Sequence, residues 1–257
     1  QLSLKVAKKL KEKWNTLIIF GGASSPHEPT DYFKKNTFID IAVRAEGEDV
    51  FNEILLKYLN NDSYENIPNV AFRSKENNCT INYEKTNFNR DLDIYPSPYL
   101  TGEFDYLLKD INNHNYQIII ETNRGCPYQC VYCDWGSNYV RKIKLFDKSR
   151  LQKEINWFGK NKIDFIFGGD ANFGMLKRDI GIAEMLVSEN IKTGGFPSKY
   201  RVSYAKNSND RVTQIAELLH SCSMDKGITL SVQTMNDECL SAIKRKNLNI
   251  DSLSNFV

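Results

Sequence analysis

A chain of 257 residues with 41% hydrophobic and 26% charged side chains can bury one core or two modest ones and is too apolar to be disordered. Its 34 Lys and Arg against 32 Asp and Glu leave a net charge of +2, which lends no support to nucleic-acid binding through the protein's overall field. No apolar run approaches the ~18 residues of a membrane helix and the N-terminus lacks the apolar core of a signal peptide, so no membrane partner is expected and the chain reads as cytoplasmic.

Residues 2–14 place Leu2, Val6, Leu10 and Trp14 at helical spacing among lysines, which predicts an amphipathic helix with a solvated basic face. Residues 16–20 are a short, partly β-branched apolar run ending in Gly21-Gly22, the pattern of a buried strand opening into a loop. Residues 39–43 repeat the strand signal, Glu46-Gly47-Glu48 makes a turn, and residues 50–59 have helical periodicity. This order suggests an α/β layer with a parallel sheet. Residues 69–73 and 79–83 flank a polar turn at 74–78 and form an expected hairpin. A polar and aromatic stretch, 84–116, carries Pro96 and Pro98 and is expected to be a linker.

Beyond it, strands are predicted over 117–121, 164–167, 199–204 and 228–233, and helices over 148–158, 179–188, 210–220 and 237–244. Four strand-helix units in succession suggest a parallel (β/α) barrel, or a piece of one, over residues 117–257. The first residue is Gln rather than Met and residues 250–257 resemble the entry to another helix. The chain therefore looks truncated at both ends.

Three of the six cysteines fall in eight residues, as Cys126-Pro127-Tyr128-Gln129-Cys130-Val131-Tyr132-Cys133. Secreted disulfide scaffolds are short and cysteine-dense, so a clustered set in a chain this long points to metal or catalysis instead. Cys79, Cys222 and Cys239 are read as small buried hydrophobes. Structural zinc needs four protein ligands, and no second pair follows. A [4Fe-4S] cluster normally takes four cysteines as well, so three on one loop leave an iron for another ligand. The loop directly follows the first predicted strand of the barrel region, at the carboxyl end where such barrels hold their chemistry.

The three cysteines and the aromatic Tyr132 resemble the signature of the radical S-adenosylmethionine superfamily. The resemblance implies a [4Fe-4S] cluster on Cys126, Cys130 and Cys133, with S-adenosylmethionine chelating the fourth iron, and an external one-electron reductant. Gly168-Gly169-Asp170, after the second strand, resembles the family's Gly-Gly-Glu segment, which meets the methionyl amino group. By the same resemblance Tyr132 covers bound ligand, Ser203 and Gln233 stand where the family touches carboxylate or ribose, and Arg245 matches a recurrent arginine.

The N-terminal region, with Gly21-Gly22 and Glu46-Gly47-Glu48, resembles the later half of the cobalamin-binding domain that precedes the barrel in one branch of that superfamily. This implies a partial Rossmann-like domain at 1–83, with Gly21, Gly22, Glu46 and Gly47 bordering cobalamin, and methyl transfer or a related radical reaction on a small-molecule or peptide substrate. The Asp-x-His-x-x-Gly run of histidine-ligated cobalamin domains is missing, and His27 reads as a surface loop residue. Two alternatives stay open: a radical enzyme that does without cobalamin, and a non-catalytic iron-sulfur protein with Cys222 as a fourth ligand.

Overall fold

The computed structural model describes residues 2–22, 25, 28–74, 79–82, 91–108, 114–133, 142–206, 209–228 and 232–245. His27, most of the polar turn at 74–78, residues 229–231 of the expected fourth strand and the stretch 250–257 lie outside them. The chain divides into two compact units, Gln1–Asn89 and Arg90–Val257.

In the first unit, strands β1 (Ile19–Phe20), β2 (Ile41–Val43), β3 (Val70–Arg73) and β4 (Cys79–Asn82) form one sheet in that order. Only β1 and β2 run parallel; β2–β3 and β3–β4 are antiparallel. The expected parallel layer is therefore a mixed sheet, because the hairpin adds its two strands to the edge of the parallel pair instead of standing apart. Helices α1 (Leu2–Trp14), α2 (Pro29–Lys35) and α3 (Glu48–Asn60) cover it. Ala7 and Phe33 pack on one set of sheet residues, Ile18, Ile39, Ala42 and Ala71. Val50 and Ile54 pack on the alternate set, Ile41, Val43, Val70 and Phe72. Successive strand residues point to opposite faces, so β2, buried at all three positions, is the middle of a three-layer sandwich. The sequence pattern missed α2, which is seven residues long with Pro at its first position, too short to show a helical period. Lys11 of α1 reaches Asp40 at 2.8 Å, and the same carboxylate accepts the Ile18 amide at 2.7 Å.

In the second unit, β5 (Gln117–Ile120), β8 (Phe165–Phe173) and β9 (Lys199–Tyr204) form a parallel sheet in the order β5-β8-β9. Helices α4 (Lys148–Lys160), α5 (Arg178–Thr193) and α6 (Asn209–Ser221) follow, and α7 (Asp237–Ala242) closes the described part. Two-residue strands β6 (Asn123–Arg124) and β7 (Lys144–Leu145) pair antiparallel. One core of Leu151, Ile155, Phe158, Ile166, Phe173, Ile182, Leu186, Tyr200, Ile215 and their neighbours joins sheet to helices. Asp147 caps α4 by accepting from Ser149 N at 2.7 Å, and Gly194 ends α5 in the left-handed conformation that glycine adopts without strain.

The stretch expected as a linker is more than a connector. Leu92 is fully buried in the second unit's core, Tyr95 and Tyr99 pack against it, and Arg150 of α4 donates to the Tyr95 carbonyl at 2.6 Å. A short aromatic segment can dock on a core without a helical or strand period, so the pattern concealed it. The expected fourth strand is also not found at its described ends, since Ile228, Val232 and Gln233 carry no strand pairing. All six cysteines are free. Cys79 and Cys222 are half-buried and Cys239 is exposed, which corrects their reading as buried residues; Cys239 lies on α7, a helix with no buried residue.

Candidate functional site

The site grows from an irregularity in β8. From Gly168 to Phe173 that strand advances five residues, while β9 opposite advances only two, from Val202 to Tyr204. Residues 169–172 therefore bulge out of the ladder, and such bulges re-aim side chains beside sites of chemistry. Gly168 makes the last regular pairing before it. A Cβ there would lie 2.6 Å from Val202 Cγ2 and 2.7 Å from the Tyr200 hydroxyl, so glycine at 168 is required by packing. Gly169 is less confined, its added Cβ meeting the Ile120 carbonyl at 3.5 Å.

Asp170, inside the bulge, is buried and turns back toward the chain that leaves β5. Its carboxylate accepts from Thr122 N at 2.8 Å, Asn123 N at 3.0 Å and the Thr122 hydroxyl at 2.5 Å. Burial pushes its carboxyl up to about 6, against these three hydrogen bonds, which favour the charged form. Asp170 thus pins the start of the cysteine loop. Arg124 adds a two-pronged contact to Glu121, at 3.1 and 2.9 Å, and β6 pairs with β7. Cys126 follows two residues later, past Gly125 at φ 122°.

Cys126 and Cys130 are buried and Cys133 is half-buried. Asn172, two residues past Asp170 on the bulge and itself buried, donates its Nδ2 to Cys126 Sγ at 3.2 Å. Cys126 and Cys133 line a cavity of about 460 Å³ with Gly168, Gly169, Asp170, Asn172, Arg201 and Ser203, a size suited to a small ligand. The far end of the loop is clasped from 113 residues away. Arg245, buried, donates to the Tyr132 hydroxyl at 2.6 Å, and Val131 N donates to the Ile243 carbonyl at 3.2 Å.

Of the residues singled out from the sequence, the structure brings together Cys126, Cys133, Gly168, Gly169, Asp170 and Ser203 around one cavity. Cys130 and Tyr132 share the loop, and Arg245 reaches it through Tyr132. Gln233 is exposed and is not among the cavity's lining residues. Cys222, the suggested fourth ligand, packs against the core and is not among them either. Sequence reasoning missed Thr122, Asn123, Asn172, Arg201 and Lys206. The two-residue period of a strand could have found two of these, because Arg201 shares a face with Ser203, and Asn172 follows Asp170 by two.

In the first unit, β1 and β2 run parallel with Ile19 opposite Ile41, so Gly21-Gly22 and the Arg44–Gly47 turn leave the sheet at the same edge. A Cβ on Gly21 would sit 3.8 Å from Val43. Gly47 stands at the N-cap of α3.

Residues 120–255 match the Radical SAM superfamily. The chain belongs to that superfamily. It is 38% identical, over 97% of its length, to 2-(S-pantetheinyl)-carbapenam-3-carboxylate methyltransferase of Streptantibioticus cattleyicolor. It is 37% identical, over the same share, to the cobalamin-dependent radical SAM methyltransferase TokK of Streptomyces tokunonensis. The chain spans 37% of the length of each of these relatives. Its fold matches TsrM of Kitasatospora setae, a radical S-adenosylmethionine methyltransferase, with a TM-score of 0.70 at 12% identity, covering 98% of this chain and 49% of that one. It also matches OxsB, a cobalamin-dependent S-adenosylmethionine radical enzyme, with a TM-score of 0.59 at 16% identity, covering 95% of this chain and 34% of that one.

Membership of the superfamily implies a [4Fe-4S] cluster, and the residues present suit one. Three free thiols on one loop, two of them buried, form a soft donor set, and an amide N–H already points at one sulfur. Among the described residues no group of three His, Cys, Asp or Glu side chains stands in a metal-binding arrangement. No helix among the described residues is long and apolar enough to cross a membrane.

Proposed function

We propose that this chain carries the cluster-binding part of a cobalamin-dependent radical S-adenosylmethionine methyltransferase acting on a small molecule. The observation that carries the reading is 38% identity, sustained over 97% of the chain, to a methyltransferase for a pantetheinyl carbapenam carboxylate. A carbapenam carboxylate is accordingly the first substrate to test.

In this reading Cys126, Cys130 and Cys133 hold the cluster, and bound S-adenosylmethionine fills the remaining iron position. When bound, the reduced cluster supplies the electron that cleaves the sulfonium of S-adenosylmethionine to methionine and a 5′-deoxyadenosyl radical. The chain's own residues orient and shield. Asp170 and the Tyr132–Arg245 clasp hold the two ends of the cysteine loop. Gly168 keeps β8 tight on β9, and Gly169 leaves its backbone open to a ligand. With Asp170 turned toward Thr122 and Asn123, the methionyl ammonium is left to backbone carbonyls of the bulge. Arg201 and Lys206, lining the cavity beside Ser203, supply positive charge for a carboxylate. Tyr132 covers the bound ligand.

Residues 1–83 would be the later part of a cobalamin domain, with Gly21, Gly22, Glu46 and Gly47 at the sheet edge nearest the cofactor, 84–116 the connection, and 117–257 the front of the barrel. The electron comes from an external one-electron reductant.

Anaerobically reconstituted protein is expected to show iron-sulfur absorbance, and its reduced spin-resonance spectrum should change when S-adenosylmethionine is added. Incubation of the full-length protein with S-adenosylmethionine, methylcobalamin, a one-electron reductant and a carbapenam carboxylate should add one methyl group by mass. Full iron content in Cys130→Ala, or no iron-sulfur absorbance in the wild type, would refute the reading.

A further inference from the structure

We propose that Asn172 is a positioning residue that sets the reduction potential of the cluster, acting through Cys126. The inference rests on the cluster assignment above and goes beyond it, since nothing in the cysteine spacing calls for an asparagine on the next strand.

Three observations carry it. Asn172 is 3% exposed and its Nδ2 donates to Cys126 Sγ at 3.2 Å. Its Oδ1 is buried without a hydrogen-bond partner among the described residues. It lines the same cavity as Cys126 and Cys133, at the end of a bulge that departs from the β8–β9 ladder. A buried amide whose oxygen is unsatisfied is a poor arrangement unless its nitrogen makes a good bond. A neutral thiol is a weak acceptor, so against a thiol this amide is badly partnered on both sides. Against a thiolate the same contact becomes charge-assisted and much stronger. The pocket around Asn172 is therefore complementary to ligated, deprotonated Cys126. The chemistry also settles which way the amide faces, because a thiolate accepts only from the nitrogen end.

The consequence is electronic. An N–H directed at a ligand sulfur withdraws electron density and stabilises the more negative, reduced cluster, and hydrogen bonds to the sulfurs are one of the protein's means of setting cluster potential. Removing the donor favours the oxidised state. Replacing it with a carboxylate adds a like charge and favours that state further. The order of potentials should be wild type, then Asn172→Leu, then Asn172→Asp.

The test is a mediator titration of the anaerobically reconstituted holoprotein without S-adenosylmethionine, read from the spin-resonance signal of the reduced cluster, with iron and sulfide measured on each sample. Asn172→Leu should shift the oxidised-to-reduced ratio about tenfold at a fixed applied potential, ~59 mV lower for one electron, at unchanged iron content. Asn172→Asp should fall below it. A residue that only fills space would leave the potential in place, so wild-type potential in Asn172→Leu overturns the inference while leaving the cluster assignment intact. Absence of any cluster in the wild type overturns both. Where a variant loads no iron, wild-type protein labelled with side-chain 15N asparagine decides: pulsed spin resonance should detect a 15N coupling to the reduced cluster, and its absence overturns the inference.

Discussion

Each of the two units contains a Phe-Gly-Gly run, and the two use their glycines for opposite reasons. After β1 the chain leaves the sheet at Gly21, and Gly22 turns at φ 87° with no atom of the described residues within 4 Å of where a Cβ would stand. There the glycine supplies backbone freedom. In β8 the pair sits inside a strand that continues to Phe173, and neither glycine has a positive φ. Gly168 is needed because Val202 and Tyr200 occupy the space a side chain would take. The same dipeptide marks a turn in one unit and a close approach in the other, so the signature alone tells only that a side chain is unwelcome.

Substitutions can break or sharpen that contrast. Gly168→Ala should cost the most, about 3 kcal/mol or more, because the new methyl meets fully buried Tyr200 and buried Val202 with no room to yield; urea denaturation followed by tryptophan fluorescence measures it. Asp170, two residues on, has no counterpart in the first unit and makes the second unit sensitive to pH. Its folded carboxyl lies near 6 against an ordinary value of 3.8, so the folded state binds the extra proton between them. Its contribution to stability is complete below about pH 4 and is lost as pH rises through about 6, a decline of up to about 3 kcal/mol. Asp170→Asn should flatten that decline in denaturation curves taken from pH 4 to 7. Gly22→Ala should cost about 1–2 kcal/mol through backbone strain alone, while Gly21→Ala, with 3.8 Å to its nearest neighbour, should stay within about 0.5 kcal/mol of wild type. An equal cost at 21 and 22 would erase the distinction between the two junctions.

Much of this was legible in the residues. The helical spacing of residues 2–14 and the apolar runs before both Gly-Gly pairs gave their elements the right type, but not the packed face of the first helix: Leu2, Val6 and Trp14 are exposed, and α1 packs through Ala7 with Leu4 and Leu10 partly buried beside it. The C-x-x-x-C-x-x-C run pointed to metal chemistry because candidate ligands on one short loop are close in sequence. What stayed hidden depends on register and distance. The direction of the hairpin relative to β2 is set by pairing, which no local pattern encodes. The docking of Leu92, Tyr95 and Tyr99 comes from tertiary fit. Asp170 resembled a ligand-facing acid in the sequence, yet its carboxylate turns to Thr122 and Asn123 because the bulge re-aims it. Asn172 drew no notice because an asparagine two residues past a Gly-Gly-Asp is ordinary until a sulfur is found 3.2 Å away.

The Tyr132–Arg245 contact has a consequence in time. Its partners are 113 residues apart, and at ribosomal rates of about 5–20 residues per second the second partner is made on the order of ten seconds after the first. For that interval the newborn cysteine loop has no latch. In the proposed cluster assignment, iron delivered early would meet thiols that can still rearrange around it, while iron delivered late would work against a loop already fastened. The order of synthesis and metal delivery thus sets which state of the loop the metal meets.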